Sequence, residues 1–187
     1  MSDVLDDPRP DFLAATDWFG QVVRGVAPGQ LGLPTPCEGW TVRDLLDHCV
    51  QVLRRTLARL TGAEFVPLPT GVPDDAWASL VSAADGELRA ALADDDVLTR
   101  TVVTPRGETL GADLLRTYTG EFFVHAWDLA TATDQESEGP ADLAARTLAR
   151  TQRSLPAEPR NPAAFGPVVA VAADAGPTRR LAAWMGR

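Results

Sequence analysis

Residues 41–61 read TVRDLLDHCVQVLRRTLARLT, and the spacing of their apolar side chains decides the fold class. Val42, Leu45, Leu46, Cys49, Val50, Leu53, Leu57 and Leu60 recur at three- and four-residue steps, the period of one face of an α-helix. Thr41 stands where an N-cap belongs, with a hydroxyl able to accept from an amide that the first turn leaves unpaired. A helix over 42–61 with one apolar side needs neighbours of the same kind, and the flanking sequence supplies them. Before it, Asp11 to about Val26 repeats the pattern through Phe12, Leu13, Trp18, Phe19, Val22 and Val23, and Pro28-Gly29 and Pro34-Thr35-Pro36 break the chain between the two. After it, a Pro- and Gly-rich segment from Val66 to Pro73 leads into a third helical pattern over about Asp74 to Ala93. The run Asp94-Asp95-Asp96 reads as a solvated helix exit. Val97 to Thr104 alternates apolar and polar residues ahead of Pro105-Arg106-Gly107 and predicts a short β-hairpin. Leu110 to about Thr133 is the longest helical pattern and Ala141 to Leu155 the next. Beyond Pro156 the chain is irregular, with a short helix at about Thr178 to Met185. The expected fold is all-α: an up-and-down four-helix bundle with a short β-hairpin and an irregular C-terminal tail. It forms a single domain over 1–187, core about 11–155 and tail 156–187.

Composition narrows the function. A chain of 187 residues, 45% of them hydrophobic, can bury roughly 70% of its unfolded surface, so its core needs neither disulfides nor a structural metal, and any bound metal is functional. Its 17 basic residues, all arginine, face 26 acidic ones for a net charge of −9, and no basic cluster exceeds Arg54-Arg55 or Arg179-Arg180. That is no footprint for a phosphate backbone, and nucleic acid is not an expected partner. No apolar run approaches the roughly 18 residues of a membrane span, and Met1 to Asp7 is acidic where a signal peptide is positive. The expectation is a soluble, cytoplasmic protein with no membrane partner. Cys37 and Cys49 are too few for a disulfide framework and lack CxxC spacing, which fits a reducing compartment.

The chemistry-bearing residues are sparse. His48 and His125 are the two histidines of the chain, one in each of the clearest helices. Glu121 precedes His125 by four residues, so the two side chains share a helix face. At about 100° per residue that face also holds Leu114, Tyr118, Phe122 and Leu129, which points the carboxylate inward. An inward carboxylate loses several kcal/mol of hydration and has to neutralise, find a cation or bind metal. The chain has no lysine and Arg116 lies on another face, which leaves Arg43, Arg54 or Arg55 as alternative partners. His48 sits at the edge of its own apolar stripe, beside Leu45 and Val52, where it can face a bundle cavity. Two readings follow: His48, Glu121 and His125 around a divalent ion with a coordination position left open, or a buried Glu121–His125 hydrogen-bonded pair. Asp128 can orient a ligand from behind or stand as a solvent-facing or helix-packing carboxylate. Trp40 and Trp127 can line a pocket or fill the core, and Cys37 and Cys49 read as buried thiols before ligands.

Two stretches carry a resemblance. LPTPCEGWTVRDLLDH over 33–48 and EFFVHAWDLA over 121–130 resemble the metal-binding domain of mycothiol-dependent maleylpyruvate isomerases, within the DinB-like four-helix-bundle superfamily. The ending, from Phe165-Gly166-Pro167-Val168-Val169 to Met185-Gly186-Arg187, is similar to an actinobacterial single-domain branch of that group. The resemblance implies a divalent metal, zinc foremost with nickel or another ion as alternatives, held by His48, Glu121 and His125. It also implies a mycothiol-like thiol as cosubstrate, whose thiolate adds to an electrophilic carbon. In an isomerase that addition permits rotation about a maleyl double bond; in a transferase it conjugates a xenobiotic or an antibiotic. Isomerases of this type carry a second, C-terminal domain that this sequence lacks, so the implied partners stay at the level of a small thiol and a small electrophile, with a homodimer as the oligomeric option. Two other classes remain open: a hydrolase or lyase that activates water without thiol, and a non-catalytic metal-binding protein.

Overall fold

The computed structural model describes residues 7–160 and 165–187; the acidic start of the chain, residues 1–6, and the tail positions 161–164 lie outside the described residues. Its elements are α1 (Arg9–Arg24), α2 (Val42–Thr61), α3 (Trp77–Ala91), α4 (Asp96–Thr99), β1 (Thr101–Thr104), β2 (Gly107–Leu110), α5 (Gly111–Ala132), α6 (Ala141–Ser154) and α7 (Pro177–Trp184), with a one-turn 3-10 helix at Pro28–Gln30.

The fold is mostly helical, with a small hairpin, as the periodicity predicts. The four helices of the bundle are α1, α2, α3 and α5: α5 packs on α1 and α2, and α3 closes the ring against both. The fifth long pattern, α6, lies outside this ring against α5 and α7. Aromatic side chains fasten α5 to α1, with Phe122 meeting Phe12 edge-on at 5.9 Å between ring centroids and Phe19 at 5.6 Å, while Phe123 lies 4.5 Å from Trp18. Every residue of α5 from Phe122 to Ala130 is buried, the pattern of a central helix rather than a surface one. The C-terminal α7 adds Leu181 and Ala182 to the same core.

The entrance to α2 follows its sequence closely. Thr41 Oγ1 accepts from the Asp44 amide at 3.3 Å, and the Asp44 carboxylate accepts from the Thr41 amide at 2.8 Å, a reciprocal capping box. The hairpin is shorter than the alternation of 97–104 suggests. Val97 to Thr99 belong to α4, because Asp94 turns the chain by accepting from the Asp96 amide at 3.0 Å, and Val97 is buried rather than paired in a ladder. Strands β1 and β2 are antiparallel, in register from Thr101 opposite Leu110 to Thr104 opposite Gly107. Gly111 then starts α5 where a Cβ would stand 1.9 Å from the Val97 carbonyl oxygen, a closeness that only glycine permits. No helix among the described residues is long and apolar enough to cross a membrane.

Candidate metal centre

Three elements converge on one cavity. The loop ahead of α2 is pinned by backbone bonds from Thr35 N to Trp40 O at 2.9 Å and from Val42 N to Leu33 O at 2.9 Å. Within it, Trp40 N returns to Cys37 O at 3.0 Å around Gly39, whose φ of +77° is the left-handed conformation of the third turn residue. This turn brings Cys37 and Trp40 to the mouth of the cavity. Helix α2 contributes His48 and α5 contributes Glu121 and His125, while the segments around Phe165 and from Met185 to Arg187 close the far side; the volume enclosed is about 540 Å³.

Within that cavity His48 Nε2 lies 2.9 Å from Glu121 Oε1, and His125 Nε2 lies 3.4 Å from the same oxygen. The three side chains each offer one ligand atom, all within 4.8 Å of one another. Glu121 is not sealed in the core: its side chain keeps 28% of its exposure, as His48 keeps 30%, because the face it occupies borders the cavity. Among the described residues, the candidate arginines Arg43, Arg54 and Arg55 are engaged elsewhere. Arg43 bonds Val72 O and Asp74, Arg54 bonds Val66 O, and Arg55 lies over the Phe65 ring. Burial works against ionisation of Glu121, but the hydrogen bonds from His125 and His48 outweigh it and hold the carboxyl well below the usual range.

His125 has a second set of partners on its other nitrogen. Nδ1 lies 3.1 Å from Asp128 Oδ2 and 3.9 Å from Cys37 Sγ. Cys37 donates to Asp128 Oδ2 at 3.2 Å, and Arg187 Nε donates to both oxygens of Asp128 at 3.1 and 3.2 Å while its Nη2 meets Cys37 Sγ at 3.2 Å. Asp128 is fully buried, and Arg187 sets an opposite charge beside it. Burial alone would keep His125 neutral, yet Cys49, Asp128, Cys37 and Glu121 around it raise its basicity well above that of a free imidazole.

The other sequence candidates divide. Trp40 lines the cavity, its ring 4.8 Å from that of His48 and nearly parallel to that of His125. Trp127 is buried beneath the Arg179 guanidinium, 5.0 Å away, and is not part of the cavity wall. Cys49 is wholly buried, and burial pushes its thiol up to about 12. Arg187 enters the sequence reading only as the last residue of the C-terminal resemblance, with no role at the site, and Cys37 reads there as a buried thiol before a ligand. Cys37, His125 and Asp128 form a second set of donor atoms within 4.8 Å, arranged around Nδ1 of the ring rather than Nε2.

Residues 12–130 match the family described as the mycothiol maleylpyruvate isomerase N-terminal domain. The chain belongs to that family. The matched span includes the turn with Cys37 and Trp40 and all three converging side chains. The chain is also similar to an uncharacterized protein of Mycobacterium tuberculosis found in strains CDC 1551 / Oshkosh and H37Rv, 29% identical over 182 residues that cover 97% of this chain and 98% of that one. Crystal structures of the mycothiol-dependent maleylpyruvate isomerase, and of a histidine-to-alanine mutant of it, share the fold with TM-scores of 0.59 and 0.58, at 23% identity over 76% of this chain and 68% of theirs.

Proposed function

We propose that this protein is a divalent-metal-dependent enzyme that uses a small thiol of the mycothiol type as cosubstrate against a small electrophile. The observation that carries the reading is the meeting of His48 Nε2, Glu121 Oε1 and His125 Nε2 at one cavity wall, in a chain of the mycothiol maleylpyruvate isomerase family. Two imidazole nitrogens and one carboxylate suit zinc and its neighbours and leave a fourth position for a small molecule. A divalent ion held there lowers the pKa of a thiol or water at that position and so supplies a nucleophile at neutral pH.

The side chains of the protein do the rest. The contact between His125 Nδ1 and Asp128 keeps Nε2 turned toward Glu121 and His48, the arrangement by which a carboxylate behind a histidine orients it as a ligand. Arg187 and Cys37 hold Asp128 in turn. Glu121 and the two histidines, the residues that would hold the ion, already satisfy one another, with Glu121 Oε1 2.9 Å from His48 Nε2 and 3.4 Å from His125 Nε2. Trp40, Phe165 and Met185 give the cavity apolar surface that limits water around the reacting atoms.

Elemental analysis tests the reading. The purified protein is expected to carry about one divalent ion per chain, lost in His48→Ala, Glu121→Ala and His125→Ala. A triple variant that retains a full complement of metal would overturn the ligand set. Conjugation of a generic electrophile, a maleyl compound or a chlorinated dinitrobenzene, is expected to require metal and thiol together. Equal turnover without thiol would instead support a water-activating hydrolase or lyase.

A further inference from the structure

A second cavity of about 590 Å³ adjoins the first, between α5, α6 and the segment around Arg160, and the two share Arg106, Glu121, Phe165 and Met185 in their walls. It differs from its neighbour in what it leaves unsatisfied. Among the described residues, five buried side-chain N or O atoms have no hydrogen-bond partner, and three of them, Thr147 Oγ1, Arg150 Nη1 and Arg160 Nη2, belong to residues lining this one cavity. Buried donors without acceptors are rare because each forgoes its hydration, so three at one cavity point to a ligand that completes them.

These donors are held in place. Thr147, 2% exposed, stands on the buried face of α6. The Arg160 guanidinium is anchored through Nε to Pro156 O at 2.9 Å and through Nη1 to Gly166 O at 3.1 Å and Trp184 O at 2.6 Å, which leaves Nη2 unused. Arg150 reaches Asp11 only at 3.7 Å through Nη2, and Asp11 already accepts from Arg146 at 2.9 Å. Arg106 adds a third guanidinium from the hairpin turn at the rim shared with the first cavity. Against these stand Asp113, paired with Arg116, and Glu121, paired with the two histidines.

We propose that this cavity is a binding site for an oxyanion, the carboxylate or phosphate of a small molecule, held by Arg150, Arg160, Thr147 and Arg106 so that the rest of the molecule extends past Glu121 toward the first cavity. Guanidinium N–H groups and a hydroxyl donating to a charged oxygen form the stronger class of hydrogen bond, and an anion is the ligand that uses all of them. The link to the first cavity rests on the proposed function; the oxyanion site itself does not.

The test uses the full chain freed of metal with a chelator and dialysed, so that no anion binds through an ion. Titration with succinate and, separately, with inorganic phosphate, at ionic strength balanced by sodium chloride and followed by calorimetry, is expected to show saturable binding of at least one. The preferred ion distinguishes a carboxylate site from a phosphate site. Arg150→Gln and Thr147→Val are expected to weaken binding about tenfold, Arg106→Gln to weaken it less, and Arg24→Gln, on the far end of α1, to leave it unchanged. Thr147→Val replaces an unpartnered hydroxyl and is expected to unfold at the same temperature as the parent or higher, so a loss of binding is not a loss of fold. Failure of both anions to saturate, or saturation undiminished in Arg150→Gln and Thr147→Val, would overturn the site. Metal content measured on the same preparations before chelation reports on the His48–Glu121–His125 reading separately.

Discussion

His125 has polar neighbours on both sides of its ring, Glu121 toward Nε2 and Asp128 toward Nδ1. Replacing Asp128 by Asn keeps the shape but removes the charge that faces Nδ1 and leaves Arg187 short of an anion. Asp128→Asn is therefore expected to weaken metal binding by about 10- to 100-fold, read by competition with a chromophoric chelator, and Arg187→Met to act in the same direction more weakly. Unchanged affinity in both would show that the buried carboxylate serves packing alone. His48, Glu121 and His125 were legible in the sequence because two of them share a helix face and the third completes a scarce residue type. Arg187 was not, since its bond to Cys37 spans 150 residues and no periodicity reports it. Glu121 was placed among the core stripe for a related reason: helical spacing gives a face, and only tertiary packing decides that this face borders a cavity.

At the scale of elements, the start of α2 and the start of α5 position the site, and each depends on a local device. Thr41→Ala removes the cap of α2 and is expected to cost about 1 kcal/mol. Asp44 is an exposed partner in that cap, and its replacement by Asn is worth only a few tenths of a kcal/mol, but its effect carries a pH signature. Hydrogen bonds from the Thr41 side chain and backbone hold the Asp44 carboxyl below its ordinary value of 3.8. A carboxyl lowered in the folded state stabilises above its unfolded pKa and loses that contribution as the pH falls through its folded one. The stability difference between parent and Asp44→Asn is thus expected to be present at neutral pH and to shrink below about pH 3.8, measured by urea unfolding across that range. Gly111→Ala pushes a methyl into the Val97 carbonyl and is expected to destabilise by about 3 kcal/mol; a variant as stable as the parent would mean that α4 and α5 separate easily. The helices themselves were legible from apolar spacing. The short α4 was not, because Val97 to Thr99 run directly into the β-favouring residues 101–104 and the turn-forming role of Asp94 shows only once the chain is folded.

The molecule as a whole has one core, in which α1, α2, α3 and α5 form the ring and α7 adds Leu181 and Ala182. The sequence shows five long helical patterns, but not which four close on one another; that choice falls to the aromatic contacts between α1 and α5. Phe122→Ala, which empties the space between Phe12 and Phe19, is expected to cost about 3–5 kcal/mol. A core of this kind does not depend on metal. Chelation is expected to leave the protein folded with a lower Tm, the loss following mass action at about 2.7 kcal/mol when free metal stands at 100 times its Kd. Chelator-induced unfolding would make the site structural instead. The central claim is that His48, Glu121 and His125 hold an ion with a position open to thiol, and cobalt(II) substitution tests it most directly. On titration of the cobalt protein with mycothiol, a sulfur-to-cobalt charge-transfer absorption is expected to grow and saturate at one thiol per ion, and to be missing in His125→Ala. A spectrum indifferent to thiol, or a charge-transfer band present beforehand and abolished by Cys37→Ser, would contradict it by showing a coordination sphere already closed by the protein.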